Sequence, residues 1–253
     1  PNTLDVSVMG TRIINTFSVN GGGTPTEIEY SANESAVLVA KNGQLELVDH
    51  NPSDHSLSSL GTLGGPAHYN DIRAMALDDG NSFAYIINGV GDFTRVNYTA
   101  DTLVEEDTFN SASANGAIDM VIVGSDAYIL NNSGQVSQIN TINTTPSDNG
   151  YINNTLGTQI GNAKKIVTND NDVFVLFDGG GTNDAGIRKL DITTLGNSPT
   201  NALSAPATLL DGAQDIVIDD SGQFAYVGTE FGAIHIIELL AATHIGTIDS
   251  THI

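Results

Sequence analysis

The chain has no cysteine and no tryptophan among its 253 residues, only eight lysines and arginines, and no long apolar run. Without cysteine there is no disulfide, no iron–sulfur cluster and no thiolate zinc site, though the redox compartment stays open. Nothing approaches the roughly 18 apolar residues that a membrane-spanning helix needs. So few cations exclude a nucleic-acid or anionic-membrane footprint, because phosphate binding depends on clustered Lys and Arg. With no tryptophan and 6% aromatics, a stacking platform for carbohydrate is disfavoured. Against the eight cations stand 30 Asp and Glu, for a formal net charge of −22. Such a field keeps the protein soluble and draws cations and basic partners. The sequence opens on Pro1 with no charged-then-apolar leader, so the expectation is a removed targeting segment or a piece of a longer protein.

What is present is repetition. DDSGQFAYV at 219–227 has a near copy in DDGNSFAYI at 78–86, and looser ones in SANESAVLV (31–39), VGSDAYI (123–129) and NDNDVFV (169–175). Aligned on Leu38, Tyr85, Tyr128, Phe174 and Tyr226, the copies lie 47, 43, 46 and 52 residues apart. A period of about 40–50 residues with strand-like content marks propeller blades. Ile28, Met75 and Ile216 lie ten residues before their anchors, and Met120 and Ile166 eight before theirs. Each begins an apolar run, read as the innermost strand. Third strands are expected at 43–49, 92–97, 134–140, 186–191 and 233–238, each closing on an apolar residue followed by Asp, Asn or Glu that suits a turn. Weaker fourth strands are expected near 57–63, 102–109, 151–160, 203–210 and 243–249.

The fold expected is therefore an all-β propeller of four-stranded antiparallel blades, a single domain over 1–253. Its repeats lie near 24–63, 69–109, 115–160, 162–210 and 212–250. A lone meander cannot bury both of its faces, whereas radially arranged sheets cover one another. Residues 1–23 are out of phase. RIINTFSV at 12–19 reads as a fourth strand, so 1–23 is the end of a preceding blade or a closing, donated strand. Five complete repeats and an extra strand leave the ring at five to seven blades. A spare or missing strand exposes a sheet edge, which invites pairing with another chain.

The residues just before the inner apolar runs are Glu27, Ala74, Asp119, Lys165 and Asp215. Placed around a channel mouth, three carboxylates and one Lys form a ring. It is either a solvated mouth balanced by Lys165 or a ligand site able to hold Ca²⁺ through hard oxygens. The long fourth-repeat turn FDGGGTNDAG offers Asp178, Asn183 and Asp184 as metal oxygens or is simply a polar loop. Its spacing is not that of an EF-hand, and no GK[ST] follows the glycines. His50 and His55 flank a turn as a further metal candidate, and His235 reads as a packed strand residue. No G-x-S-x-G elbow supports a serine nucleophile. The recurring Tyr85, Tyr128, Phe174 and Tyr226 read as core between blades. Five Asn-x-Ser/Thr sequons, at Asn33, Asn97, Asn131, Asn143 and Asn153, count only if the source glycosylates.

Tyr85-Ile86-Ile87-Asn88, Tyr128-Ile129-Leu130-Asn131 and Tyr226-Val227-Gly228-Thr229, each after Ala84, Ala127 or Ala225, resemble the YVTN-type repeat of secreted and surface-layer β-propellers, similar to the LVIVD and lactonase-like families. The copies at Leu38 and Phe174 depart from the Tyr motif. The resemblance implies a propeller and leaves the activity open, since propellers host unrelated functions. The expectation is a non-enzymatic extracellular, cell-surface or periplasmic structural and interaction module, a domain or repeating subunit of a surface assembly. It would have no cofactor, or Ca²⁺ alone, and would pair with a protein partner or itself through exposed strand edges. The alternative that the resemblance raises is a lactonase-like metal-dependent hydrolase acting at the channel mouth, with Ca²⁺ at Glu27, Asp119 and Asp215.

Overall fold

The computed structural model describes residues 25–51, 53, 54, 56–99, 102–140, 142, 144–151, 163–178, 185–190, 192, 200–204, 210–219, 221–239, 241 and 243–248. The expected strand at 12–19, the candidate ligands Asn183 and Asp184, His55, and the sequons at Asn143 and Asn153 lie outside them.

Each repeat begins with β-branched and apolar runs separated by Gly, Asn and Asp, so each segment forms a short strand and turns back on its predecessor. The first sheet holds β1 (Pro25–Ser31), β2 (Ala36–Lys41), β3 (Gln44–His50) and β4 (Leu57–Gly64). The second holds β5 (Ile72–Asp78), β6 (Phe83–Asn88), β7 (Asp92–Asn97) and β8 (Val104–Asn110). The third holds β9 (Ala117–Val123), β10 (Asp126–Asn131), β11 (Val136–Asn140) and β12 (Ser147–Tyr151). The fourth holds β13 (Ala163–Thr168), β14 (Val173–Phe177), β15 (Gly186–Leu190) and β16 (Thr200–Ser204), and the fifth β17 (Ala213–Ile218), β18 (Phe224–Thr229), β19 (Ile234–Glu238) and β20 (Thr243–Ile248). All five are antiparallel meanders in chain order: the blades of a β-propeller.

Turn chemistry explains the repeated motif. Before the anchor strand of the fifth sheet, the Asp219 carboxylate accepts from Phe224 N at 2.8 Å, Gln223 N at 3.0 Å and Ser221 Oγ at 2.6 Å. Asp78 accepts from Asn81 N, and Asn169 from Asp172 N, at the same place in their repeats. At the far end, Asn88 Oδ1 accepts from Val90 N and Asp92 N, and Asn131 Oδ1 from Ser133 N and Gln135 N. The asparagine that closes the Tyr motif thus organises the next hairpin. Asn131 is buried in this role, which removes it as a glycan acceptor in the folded chain.

Register makes the repeats equivalent. Ile28 pairs with Val39, Met75 with Ile86, Met120 with Ile129, Ile166 with Val175 and Ile216 with Val227, each time one residue beyond the anchor. The anchors and the alanines before them point to opposite faces. Tyr85 packs with Ala117, Met120 and Ile129 of the third sheet, whereas Ala84 packs with Leu38, Leu45 and Leu47 of the first. Tyr128 packs towards the fourth sheet and Phe174 towards the fifth. A small residue facing the preceding sheet and a large one facing the next let successive sheets interlock. Inner strands pack in succession, β1 on β5, β5 on β9, β9 on β13 and β13 on β17.

Among the described residues, no comparable packing joins the fifth sheet to the first. The fifth anchor therefore departs from the core expected of it: Tyr226 is 37% exposed, and Val217 opposite it 58%. At the other end Ile28 is 60% and Tyr30 51% exposed.

Two outer strands differ from expectation. That of the third sheet ends, rather than starts, at Tyr151, because the carboxylate of Asp148 accepts from Ser111 Oγ at 2.8 Å and Ser113 Oγ at 2.6 Å and pins the strand early. That of the fourth sheet runs over Thr200–Ser204 rather than 203–210.

Candidate functional site

The inner strand of every sheet carries a β-bulge at the same place. Register skips between Pro25 and Glu27, Ile72 and Ala74, Ala163 and Lys165, and Ala213 and Asp215. In the third sheet Asp119 follows the same irregularity. Each residue after the bulge pairs two positions beyond its anchor: Glu27 with Ala40, Ala74 with Ile87, Asp119 with Leu130, Lys165 with Leu176 and Asp215 with Gly228. Bulges re-aim side chains and bend the strand locally, and here they set five equivalent positions at one end of the inner strands.

Those side chains share one electrostatic space. Lys165 Nζ lies 3.4 Å from Asp119 Oδ1, and Asp119 Oδ2 accepts from Ile166 N at 2.8 Å, so Asp119 bridges the third sheet to the fourth. Burial pushes the Asp119 carboxyl up, and Lys165 and the amides of Ile166 and Met120 offset part of that rise. Burial alone would push Lys165 down, but the carboxylates of Asp119, Glu27 and Asp215 outweigh it and hold the ammonium above its ordinary value. Glu27 is raised by burial, with Lys165 opposing and Asp119 and Asp215 reinforcing. Asp215 Oδ1 accepts from Ile216 N at 2.9 Å.

Glu29 also belongs to this cluster. It stands two residues beyond Glu27 on the same face of β1, opposite Leu38, and burial, with Glu27 next, pushes its carboxyl up to about 7. Sequence reasoning placed one residue per inner strand at the mouth and overlooked the second. The period-2 repeat Glu27-x-Glu29 was the signal that could have found it. Four carboxyl groups thus act electrostatically on one ammonium at that end of the inner strands, and Glu29, raised to about 7, can exchange a proton near neutral pH.

The remaining candidates lie elsewhere. Asp178 accepts from Gly212 N at 3.4 Å and pairs with Lys164 Nζ at 3.7 Å, which ties the end of β14 to the start of the fifth sheet. His50 stacks edge-on against Tyr30. His235 is buried, with Nδ1 3.1 Å from Thr247 Oγ1. Among the described residues, no three His, Asp or Glu side chains are grouped so as to hold a metal ion, and beside Asp119 the ammonium of Lys165 takes the place a cation would need. An open cleft of about 550 Å³ lies beside Ser113, Asp148 and Tyr151. Its carboxylate is saturated by Ser111, Ser113 and the Gly150 amide, so it reads as a fastening.

No family model matches the chain, and no curated protein matches it. Solved structures share its fold. A functionally unknown protein from Desulfotomaculum acetoxidans aligns with a TM-score of 0.65 at 13% identity, over 91% of this chain and 73% of that one. A putative 6-phosphogluconolactonase from Bacteroides uniformis aligns with a TM-score of 0.67 at 11% identity, over 91% of this chain and 71% of that one. At such identities the likeness is one of fold alone, that of a β-propeller.

Proposed function

We propose that this chain is a non-enzymatic structural and interaction module that takes a pair of β-strands from a partner protein between its first and fifth sheets. The observation that carries it is the set of apolar side chains on the inner part of the two end sheets: Ile28 and Tyr30 on β1, Val217 on β17 and Tyr226 on β18. Four times within the molecule an equivalent pair of faces is filled by the neighbouring sheet's inner strands. The chemistry that fits the fifth is therefore another inner hairpin of this kind, docked by apolar faces as in β-strand addition. Isolated apolar residues on a surface are ordinary, but a tyrosine at the one core position repeated in every sheet is not. An extracellular, cell-surface or periplasmic setting accords with this reading through the acidity of the chain.

The test uses a synthetic hairpin of residues 72–88, which form β5 and β6, and follows its fluorescence anisotropy on titration with the whole chain. Saturable binding that Val217→Asp with Tyr226→Asp weakens at least about tenfold, the equivalent of roughly 1.4 kcal/mol, supports the reading. No binding up to about 1 mM (some −4 kcal/mol), with a monodisperse monomer by light scattering and no partner pulled down that depends on Tyr226, would sink it.

A second reading is a lactonase-like hydrolase at the channel mouth. The observation favouring it is Glu29, a half-buried carboxyl raised to about 7 beside Glu27, which is where a general base at neutral pH belongs. In its metal-dependent form Ca²⁺ among Glu27, Asp119 and Asp215 would polarise the carbonyl, against the opposing charge of Lys165. Hydrolysis of a six-membered lactone, followed before and after EDTA dialysis and in Glu29→Gln, decides it. Turnover lost in the variant supports this reading, and no turnover removes it.

A further inference from the structure

We infer that His235 and His244, on the two outer strands of the fifth sheet, form a binding site for a divalent transition-metal ion of the zinc kind, two imidazoles closing on one ion beside the Thr247 hydroxyl. His235 lies on β19, and His244 and Thr247 lie on β20. Thr247 Oγ1 is 3.1 Å from His235 Nδ1 and 3.0 Å from His244 Nε2, so one nitrogen of each ring is turned to the same point. The ring centroids are 5.5 Å apart. With bonds of about 2.0–2.1 Å, an ion shared by two imidazoles sits roughly 3 Å from each ring centre, which puts the centres about 5–6 Å apart. The pair thus already stands at the separation that a two-imidazole ligand set needs.

A bulge is what brings the three side chains together. His244 and Thr247 are three residues apart, and in a regular strand an odd spacing sends side chains to opposite faces. Here His235 pairs with Thr247, Ile236 with Gly246 and Ile237 with His244, so Ile245 is the extra residue of a bulge. His235 and Ile237 share a face by alternation, and Thr247 and His244 therefore share it too. The same irregularity recurs between the third and outer strands of the other four sheets. In the second sheet the equivalent corners are Thr94, Thr108 and Glu105, with Thr94 Oγ1 2.9 Å from Thr108 Oγ1 and Thr108 Oγ1 donating to Glu105 Oε1 at 3.2 Å. In the first, Ser59 Oγ donates to Glu46 Oε1 at 2.8 Å. The fold builds a polar corner at this place, and a hydroxyl bonded to a carboxylate is enough to fill it. In the fifth sheet two imidazoles stand there instead, and they bring metal-binding chemistry that the corner itself does not require.

The donors select the ion. Imidazole nitrogen suits zinc, copper and nickel, whereas calcium and magnesium take carboxylate, carbonyl and water oxygens. A ligating imidazole must be neutral. Burial, with His244 next, holds His235 below the ordinary imidazole value, so its ring keeps a free lone pair at neutral pH. His235 is buried, His244 half-buried and Thr247 exposed, which leaves a solvent side where an ion enters and water completes its coordination. The net charge of −22 draws cations to the molecule. Two protein nitrogens make an open site, unlike the closed four-ligand set of structural zinc, so the ion exchanges and EDTA removes it. This inference concerns the outer strands of one sheet and is independent of both readings above, so any of them can fail alone.

The test titrates zinc chloride into the full, untagged chain by isothermal calorimetry, with calcium chloride for comparison. The expected result is one saturable zinc site that His244→Ala weakens at least about tenfold, that His50→Ala leaves unchanged, and that calcium does not fill. Zinc binding that survives His244→Ala, or that calcium matches, overturns the inference and assigns the ion to the acidic surface. No saturable zinc binding up to about 1 mM overturns it as well. Should His244→Ala fail to fold, the histidine ring resonances of the unaltered chain decide during a zinc titration. Signals of His235 and His244 that shift together and saturate first uphold the site; a shift confined to other histidines, a uniform drift of all six, or no shift overturns it.

Discussion

Glu29 carries the sharpest residue-level consequence. Its folded carboxyl titrates at about 7, against an ordinary value of 4.5. Below that ordinary value both folded and unfolded chains hold the proton. Between the two values the folded chain keeps a proton that the unfolded chain has released, so stability falls as pH rises through this window. Replacing Glu29 with Gln removes that slope. The variant is expected to match the parent at low pH and to exceed it by roughly 1–3 kcal/mol above pH 7, measured by thermal unfolding across pH 4 to 8. Lys165 works in the opposite sense. Lys165→Met strips Asp119, 6% exposed, of its counter-charge, leaving only backbone amides. A loss of roughly 1–3 kcal/mol is expected in urea unfolding, recovered in part by Lys165→Arg. Glu27, Asp119, Lys165 and Asp215 were identifiable from their shared place before an apolar run. The spacing of Glu29 from Glu27 put it on the same face, but its raised pKa depends on burial that no local pattern reveals.

At the scale of the element, the hairpins that follow the anchor strands rest on particular residues. Gly91 adopts φ +87, and a Cβ there would run into the Ser111 carbonyl oxygen and crowd the Asn115 amide. Ser111 N also donates to Gly91 O at 2.8 Å, joining this hairpin to the chain leading into the third sheet. Gly91→Ala is therefore expected to cost roughly 2–4 kcal/mol, from an unfavourable φ and a backbone clash together. Chemical denaturation checks it, with Gly61→Ala, where a Cβ meets nothing, as a nearly silent control. The inner, anchor and third strands were readable because apolar runs and turn residues recur in phase. The outer strands were not: they are polar and half-exposed, and the start of β12 is decided by Asp148 reaching back to Ser111 and Ser113, a contact 37 and 35 residues away that no local pattern announces.

For the whole molecule, the five anchors offer a direct comparison. Tyr85 is fully buried between the second and third sheets, whereas Tyr226 faces outward on the fifth. Tyr85→Ala is expected to cost about 3–5 kcal/mol as a large-to-small core substitution, and Tyr226→Ala under about 1 kcal/mol. Tyr226→Ala should instead lower affinity for the hairpin of residues 72–88. Equal destabilisation by the two would show that the fifth face is covered after all. The net charge of −22 adds a salt dependence. Because the Debye length shrinks from about 30 Å at 0.01 M to about 10 Å at 0.1 M, association with any acidic partner through that face should strengthen as salt is added, which light scattering across a salt series will show.

The amino-acid sequence alone determined the repeat, the meander within it, the anchor and its small neighbour, and the equivalence of the residues that end up at the mouth. All of these are local or periodic, and alternation and turn chemistry act over a few residues. Only the tertiary structure decided which anchors become core, which carboxyl groups gather near Lys165, and which of the described apolar side chains stay exposed. Those depend on what another part of the chain brings alongside. A tyrosine written into the same motif is buried in one sheet and exposed in another, because burial belongs to the pair of faces and not to the strand.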